Sequence, residues 1–199
     1  MRTQEAFMMA VMHEDRIAYH RITVDQYYRM AEVGLLAPDE HVELIDGVII
    51  DMAPIGSQHA AALRRLNQLL TRAVGARAIL SSQLPVHLSR WSEPQPDLAV
   101  LRPREDFYGS AHPRAEDVLL LVEVSVTSLR YDLQVKVPLY AHHRIPEVWV
   151  IDLKDQMVYV HRKPKGEAYA EVSSLAAPEP VSLATLPDVK VDLSDILRG

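Results

Sequence analysis

Residues 118–126 read VLLLVEVSV, a run that is typical of a strand buried inside a sheet. One residue of this run, Glu123, carries a carboxylate. Moving an unpaired charge out of water is so unfavourable that the carboxyl group either finds a partner or raises its pKa until it is neutral. The fold must therefore bury this strand and also explain why Glu123 lies within it.

The size and composition of the chain restrict the classes of protein to which it can belong. Its 199 residues are enough for one substantial domain with its own core. It has no cysteine for a disulfide or a thiolate zinc site, and no apolar run approaches the roughly 20 residues that span a bilayer. We therefore expect a cytoplasmic protein with no membrane partner. The net charge of −6 argues against a generally basic, nucleic-acid-binding surface.

Local signals predict a helix and a hairpin near the start of the chain. Thr23 and Gln26 have the spacing of a capping box, which predicts a short helix that Gly34 ends. The pair Asp46-Gly47 lies between two apolar flanks, which is the strongest short-range signal for a β-hairpin.

The middle of the chain predicts a long helix followed by strands. Ser57 is expected to cap a helix whose apolar residues recur at helical spacing as far as about Gly75. Three strands are predicted next, at residues 78–88, 97–101 and 118–126. The polar, turn-rich residues 102–117 are expected to form a surface loop.

After the apolar strand, Asp132 is the expected N-cap of a helix over residues 132–143, which Pro138 should kink or shorten. Two further strands are predicted at residues 147–152 and 157–163. The pattern predicts one α/β domain with a mixed sheet. Its expected divisions are an N-terminal extension (1–22), the main domain (23–172) and a C-terminal tail packed on or extending it (173–199).

Two carboxylates fall where neighbouring strands can bring them together. Pro96-Asp97 opens one apolar strand, and Glu123 interrupts the next. Converging carboxylates raise each other's pKa, and a hard divalent cation such as Mg²⁺ removes this penalty because it prefers carboxylate oxygens. Lys136 lies one turn beyond Asp132 and can reach the same place. Such a group predicts a site that activates water against a phosphodiester.

Simpler interpretations of the same residues remain open. A Pro-Asp pair before a strand commonly marks a turn, so Asp97 can have a purely structural role. Glu123 can face solvent at a sheet edge or pair with a nearby arginine, and Lys136 can be a solvated helix residue. His59, at the start of the long helix, is a candidate auxiliary residue, although a lone histidine is commonly structural. Tyr140 lies four residues after Lys136 and can pack beside it.

Five segments between about Thr23 and Tyr169 carry a family resemblance. They read ITVDQYYRM, VELIDGVIIDMAP, SQHAAALRRLNQLL, EPQPDLAVL and LVEVSVTSLRYDLQVKVPLYAHHRIPEVWVIDL. Each is weakly specific, but their order and spacing resemble the Uma-type family of restriction-endonuclease-like nucleases, within the PD-(D/E)XK superfamily. The resemblance implies a restriction-endonuclease-like core with the hairpin as an added N-terminal layer.

The resemblance also implies roles for individual residues. The acids of the family motif match Asp97 and Glu123, the lysine matches Lys136, and an early glutamate matches Glu43. In the parent superfamily a lysine follows the glutamate by two positions, where this chain has Ser125. The implied metal ligands are Asp97, Glu123 and the carbonyl of Val124.

The implied function is a Mg²⁺-dependent DNA endonuclease in which Mn²⁺ can substitute. Lys136 would orient the attacking water, and Glu43 would lie beside the metal. The available phosphate contacts are Arg64, Arg65, Arg72, Arg102, Arg104 and Arg130. A homodimer is expected through the apolar residues 7–12. The alternatives are a catalytically silent nucleic-acid-binding or assembly module, and a hydrolase of another phosphorylated substrate.

Overall fold

The computed structural model describes residues 20–176 and 180–197, which form the following helices and strands. In chain order they are α1 (Val24–Glu32), β1 (Val42–Ile45), β2 (Val48–Asp51), α2 (Ser57–Val74), β3 (Ile79–Ser82), β4 (Leu98–Leu101), β5 (Val118–Ser125), α3 (Leu129–Tyr131), a π-helical turn (Asp132–Lys136), α4 (Val137–His142), β6 (Glu147–Asp152), β7 (Met157–Lys165), β8 (Ala168–Leu175), β9 (Val181–Ser182), β10 (Lys190–Val191) and α5 (Ser194–Leu197). Most of the predicted extension 1–22, including the apolar residues 7–12, lies outside the described residues.

The main sheet has six strands in the spatial order β3-β4-β5-β6-β7-β8. β5 and β6 are parallel, and every other neighbouring pair is antiparallel. The predicted α/β class with a mixed sheet is therefore confirmed. Within the described residues, no helix is both long enough and apolar enough to cross a membrane.

The core lies on both faces of this sheet, which explains the apolar composition of β5. Leu66 and Leu70 of α2 pack on one face against Val122 and neighbouring strand residues. Leu121 faces the other side, where Tyr140 of α4 packs. All eight residues of β5 are buried, as expected for a strand covered on both faces.

The C-terminal segment packs on the α2 face of the sheet. Its buried residues include Val181, Leu183, Leu193 and Ile196. The buried carboxylate of Glu147 holds this segment by accepting a hydrogen bond of 2.6 Å from the backbone amide of residue 184. Residues 180–197 thus contribute to the core of the main domain.

The N-terminal helix and hairpin form as predicted. The Thr23 hydroxyl accepts from the Gln26 amide, and the Gln26 side chain accepts from the Thr23 amide, so both halves of the capping box are present. β1 and β2 pair across the Asp46-Gly47 turn. A backbone bridge between Leu44 and Glu93 joins the hairpin to the segment before β4.

Gly47 is the glycine that the hairpin most requires. Its φ is +78°, and a Cβ at this position would lie 2.6 Å from Cβ of Arg21. We expect Gly47→Ala to lower the free energy of unfolding by more than about 1 kcal/mol, because backbone strain and a steric clash add together. Gly166→Ala is the control, since Gly166 also has positive φ (+65°) but open space around it. If urea denaturation showed equal losses of unfolding free energy for the two variants, the steric clash at Gly47 would be absent.

Two predicted helix caps are wrong. The N-cap of α2 is Gly56, and Ser57 is the first helical residue. Asp132 is not an N-cap either, because α3 begins at Leu129 with Ser128 as its N-cap. The helical path then continues through the π-helical turn into α4. Pro138 follows that turn, so the irregularity predicted from proline appears as a widened turn, which is one way to accommodate the missing amide donor.

The strand predictions differ from the structure in length and number. The predicted strand 78–88 is reduced to β3, which ends before Gln83, whose φ is +52°. β8 is not among the predicted strands. It is an edge strand with mostly exposed residues, so its sequence lacks the apolar alternation that identifies a half-buried strand.

Candidate active site

Asp97 and Glu123 come together because β4 and β5 are antiparallel neighbours. Leu98 pairs with Val122, so the residue before Leu98 and the residue after Val122 lie opposite each other at the same end of the sheet. Alternation along the two strands puts both carboxylates on one face. They line a cleft of about 680 Å³, together with Glu43, His59 and Lys136.

Asp97 is fixed by contacts from two other elements. Its Oδ2 accepts a hydrogen bond of 2.8 Å from the backbone amide of Val124. Because the amide and carbonyl of one strand residue point to the same side, the carbonyl of Val124 also faces the Asp97 side of β5. Nε2 of His59, in the first turn of α2, lies 2.9 Å from the same Oδ2, and this hydrogen bond raises the pKa of His59. Nε2 of Gln83 lies 3.4 Å from Oδ1.

Lys136 lies between two buried carboxylates. Its Nζ is 3.3 Å from Oε2 of Glu43 and 3.3 Å from Oε1 of Glu123. The π-helical turn delivers this lysine from the helix rather than from β5. The partner that makes Glu123 tolerable in the strand is thus a lysine within the chain, and not the arginine that the sequence allowed as an alternative.

Two tyrosines complete this buried group. The Tyr140 hydroxyl donates to Oε1 of Glu123 at 2.5 Å, and the Tyr131 hydroxyl donates to Oε1 of Glu43 at 3.1 Å. The other oxygen of Glu43 accepts from the backbone amide of Gln95 at 3.0 Å. Both carboxylates are therefore held in fixed orientations.

Burial is the largest single influence on the pKa of Glu123, Lys136 and Tyr140. It raises the pKa of Glu123 to about 8, although the charge of Lys136 and the hydrogen bond from Tyr140 oppose the shift. Burial also opposes the charge on Lys136, but the carboxylates of Glu123 and Glu43 outweigh it and raise the lysine pKa. The pKa of Tyr140 is raised by burial and by Glu123, so this hydroxyl remains a hydrogen-bond donor.

The raised pKa of Glu123 predicts a pH-dependent stability in the absence of metal. Its ordinary pKa is 4.5 and its folded pKa is about 8. The folded state therefore holds this proton more tightly, and the resulting stability is fully present below pH 4.5 and is lost as the pH rises through about 8. We expect urea denaturation in EDTA to show a smaller pH-dependent loss for Glu123→Gln than for the wild type. If the free energy of unfolding fell equally with rising pH in both proteins, ionisation of Glu123 would not be the cause of the loss.

Ser125 stands where the parent superfamily has its lysine, and its contacts differ accordingly. Its hydroxyl donates to Oδ2 of Asp132 at 2.6 Å, and the Ser128 hydroxyl donates to the same oxygen at 2.8 Å. Burial raises the pKa of Asp132, which lines the cleft beside Lys136. The sequence pattern predicted a capping role for Asp132 and did not identify Tyr131, Gln83 or Gln95 as residues of the site. The one sequence signal that could have placed Asp132 beside Lys136 is the four-residue spacing between the two residues.

None of the arginines proposed as phosphate contacts lines the cleft. Lys136 is the one Lys or Arg side chain among the described residues that line it. Arg102 and Arg104 follow the opposite end of β4 from Asp97, and Arg104 pairs with Asp106 at 2.7 Å. Arg130 donates to the side chain of Gln134, while the three others are on α2, at Arg64, Arg65 and Arg72.

Comparison with protein families gives an assignment for most of the chain. The Uma2 family model, described as "Putative restriction endonuclease", matches residues 24–194. The chain belongs to the Uma2 family. The matched residues include all of β1 to β10 and every residue that lines the cleft. The resemblance inferred from the five sequence segments is thus confirmed.

A solved structure supports the fold of this Uma2 domain. It is described as a "putative nuclease belonging to DUF820" from Anabaena variabilis, and its TM-score is 0.67 at 17% sequence identity. The alignment covers 89% of this chain and 98% of that chain. At such low identity the likeness concerns the fold alone. The comparison with curated proteins finds no match.

The donor atoms of the cleft are suited to a divalent cation. In the described part of the chain, no three His, Cys, Asp or Glu side chains form a group that could hold a metal ion by themselves. The predicted ligand set contains only two carboxylates, those of Asp97 and Glu123. Its third member would be the backbone carbonyl of Val124. All three ligands are oxygens, which hard cations prefer, and the Asp97–Val124 contact brings two of the three residues together.

Proposed function

We propose that this Uma2-family protein is a metal-dependent DNA endonuclease that hydrolyses phosphodiester bonds. The observation that carries the proposal is the convergence of Asp97, Glu123 and Lys136 in one cleft, from two strands and a helix. The family assignment supports a nuclease as the general class. DNA as the substrate and a divalent cation as the cofactor are the specific parts of the proposal.

Asp97, Glu123 and the carbonyl of Val124 would hold the cation, which we propose is Mg²⁺, with Mn²⁺ able to substitute. When bound, the cation supplies Lewis-acid polarisation of the phosphodiester and lowers the pKa of a water molecule. His59 orients Asp97 through the contact at 2.9 Å. A partner of this kind commonly fixes the direction of a ligating carboxylate.

Lys136 would contact the reacting phosphate. An ammonium group has three donors, and the contacts to Glu43 and Glu123 leave one of them for a phosphate oxygen or a water molecule. Its positive charge would stabilise the negative charge that develops on the phosphate oxygens. Glu43 is then a positioning residue, because it holds Lys136 and is itself held by Tyr131 and Gln95.

The same convergence supports an enzyme over the catalytically silent alternative. A catalytically silent binding or assembly module has no need to bring two strand carboxylates and a helix lysine to one point. A hydrolase of another phosphorylated substrate would use the same groups, so the choice of DNA depends on the family. The homodimer through residues 7–12 stays a prediction.

Calorimetry with Mn²⁺ tests the metal site. We expect the wild type to bind about one Mn²⁺ per chain, with the weak affinity typical of a site with few carboxylates. Asp97→Asn should abolish this binding, whereas Asp39→Asn, which changes an exposed acid outside the cleft, should retain it. Unchanged Mn²⁺ uptake by Asp97→Asn, or none by the wild type, would overturn the proposal.

A further inference from the structure

One wall of the cleft is apolar, in contrast to the charged group beside it. The wall is formed by β2, by the segment between β2 and α2, and by one residue after β5. Its apolar side chains are Ile50, Met52, Ala53, Pro54, Ile55 and Val126. Ile55 is 53% exposed, so the chain leaves a large aliphatic side chain open to water in the cleft that the carboxylates and Lys136 also line. A surface of this kind can accept an apolar part of a ligand.

The charges of the cleft restrict what that ligand is. Five acids line it, namely Glu43, Asp51, Asp97, Glu123 and Asp132, against the single lysine. A duplex is held mainly by many contacts from Lys and Arg to its phosphates, which this cleft does not offer. Its volume of about 680 Å³ is that of a small-ligand pocket, for which the usual range is about 300–1,000 Å³. The cleft is therefore matched to one or two nucleotide units, with few phosphates and an exposed base.

We propose that the wall formed by residues 50–55 and Val126 binds an unpaired nucleobase, so that the substrate of this site is single-stranded or locally unpaired DNA. This inference rests on the proposed function, because Lys136 and the carboxylates place the phosphate next to the base. A base that is stacked and paired in a duplex cannot reach the wall, whereas an unpaired base presents a flat apolar face to it. Base contacts of this type tolerate any sequence, because every base has such a face.

Oligonucleotide binding tests the inference separately from cleavage. Fluorescence anisotropy in Ca²⁺ would compare a labelled oligothymidylate with an abasic oligonucleotide of the same length, and with a duplex of that length. We expect the wild type to bind the oligothymidylate roughly tenfold more tightly than the abasic strand, because a base covers part of the exposed aliphatic surface of the wall. Ile55→Ser should reduce the affinity for the oligothymidylate to that for the abasic strand. The control Leu84→Ser changes a leucine that is 56% exposed and does not line the cleft, and it should bind like the wild type.

The outcomes separate this inference from the proposed function. Equal wild-type affinity for the oligothymidylate and the abasic strand would overturn the inference, as would tighter binding of the duplex or an equal loss in Leu84→Ser. If the protein cleaved DNA in Mn²⁺ but bound it without regard to bases, the nuclease proposal would hold and the base-binding wall would be refuted. If binding depended on the bases but no DNA were cleaved, base binding by the wall would be supported and the proposed nuclease activity would be refuted.

Discussion

Replacing Lys136 by methionine is expected to lower the free energy of unfolding by about 3–5 kcal/mol, as for a buried ion pair that loses one partner. Glu43 and Glu123 are both about 2% exposed, and Lys136 is within 3.3 Å of each. Without the ammonium group, two buried carboxyl groups remain beside each other with no positive charge between them. Methionine preserves most of the side-chain volume, so the loss measures the charge rather than a cavity.

The pH dependence of this loss gives a second check. Protonation of Glu123 relieves the repulsion, so the destabilisation by Lys136→Met should be larger at pH 8 than at pH 5. The control is Lys154→Met, which removes an exposed lysine and should change stability by less than about 0.5 kcal/mol. Urea denaturation of both variants in EDTA is the measurement. A Lys136→Met protein as stable as the control would show that the two carboxylates do not depend on this lysine.

The elements that could be predicted from the sequence are those with a local physical signal. β5 is recognisable because a strand covered on both faces has to be almost entirely apolar. The capping box at Thr23 and the turn at Asp46-Gly47 involve residues that are close in sequence. The approach of Asp97 to Glu123 was also predictable, because it requires only that two successive apolar strands be neighbours.

The contacts that define the buried group were not predictable in this way. Lys136 contacts Glu43 across 93 positions of sequence, and no local pattern encodes such a separation. For Asp132, a local pattern is present but indicates the wrong role. An aspartate before an apolar-periodic segment has the usual signature of an N-cap, but here the Ser125 and Ser128 hydroxyls bind its carboxylate inside the helical path. Tertiary packing and the π-helical turn decided its position.

Replacing Glu123 by glutamine is expected to separate catalysis from stability. Glutamine has nearly the same volume, and its carbonyl oxygen can still accept the hydrogen bond from Tyr140. Lys136 keeps Glu43 as its partner, and the cost of burying one carboxylate disappears. We therefore expect the metal-free stability to change by less than about 1 kcal/mol, in contrast to Lys136→Met. Cleavage should fall by at least about 100-fold, because a charged ligand of the proposed metal is lost.

The most direct test of the proposed site is the rate at which the purified protein nicks, in Mn²⁺, a negatively supercoiled plasmid, whose unwinding stress locally unpairs its bases. The wild type should nick the plasmid in Mn²⁺ and not in EDTA. The variants Asp97→Asn, Glu123→Gln and Lys136→Met should each lose at least about 100-fold in rate, with Asp39→Asn and Lys154→Met retaining the wild-type rate. Glu123→Gln is the decisive protein, because it is expected to stay as stable as the wild type. Wild-type nicking by a folded Glu123→Gln protein would contradict the assignment of this cleft as the active site.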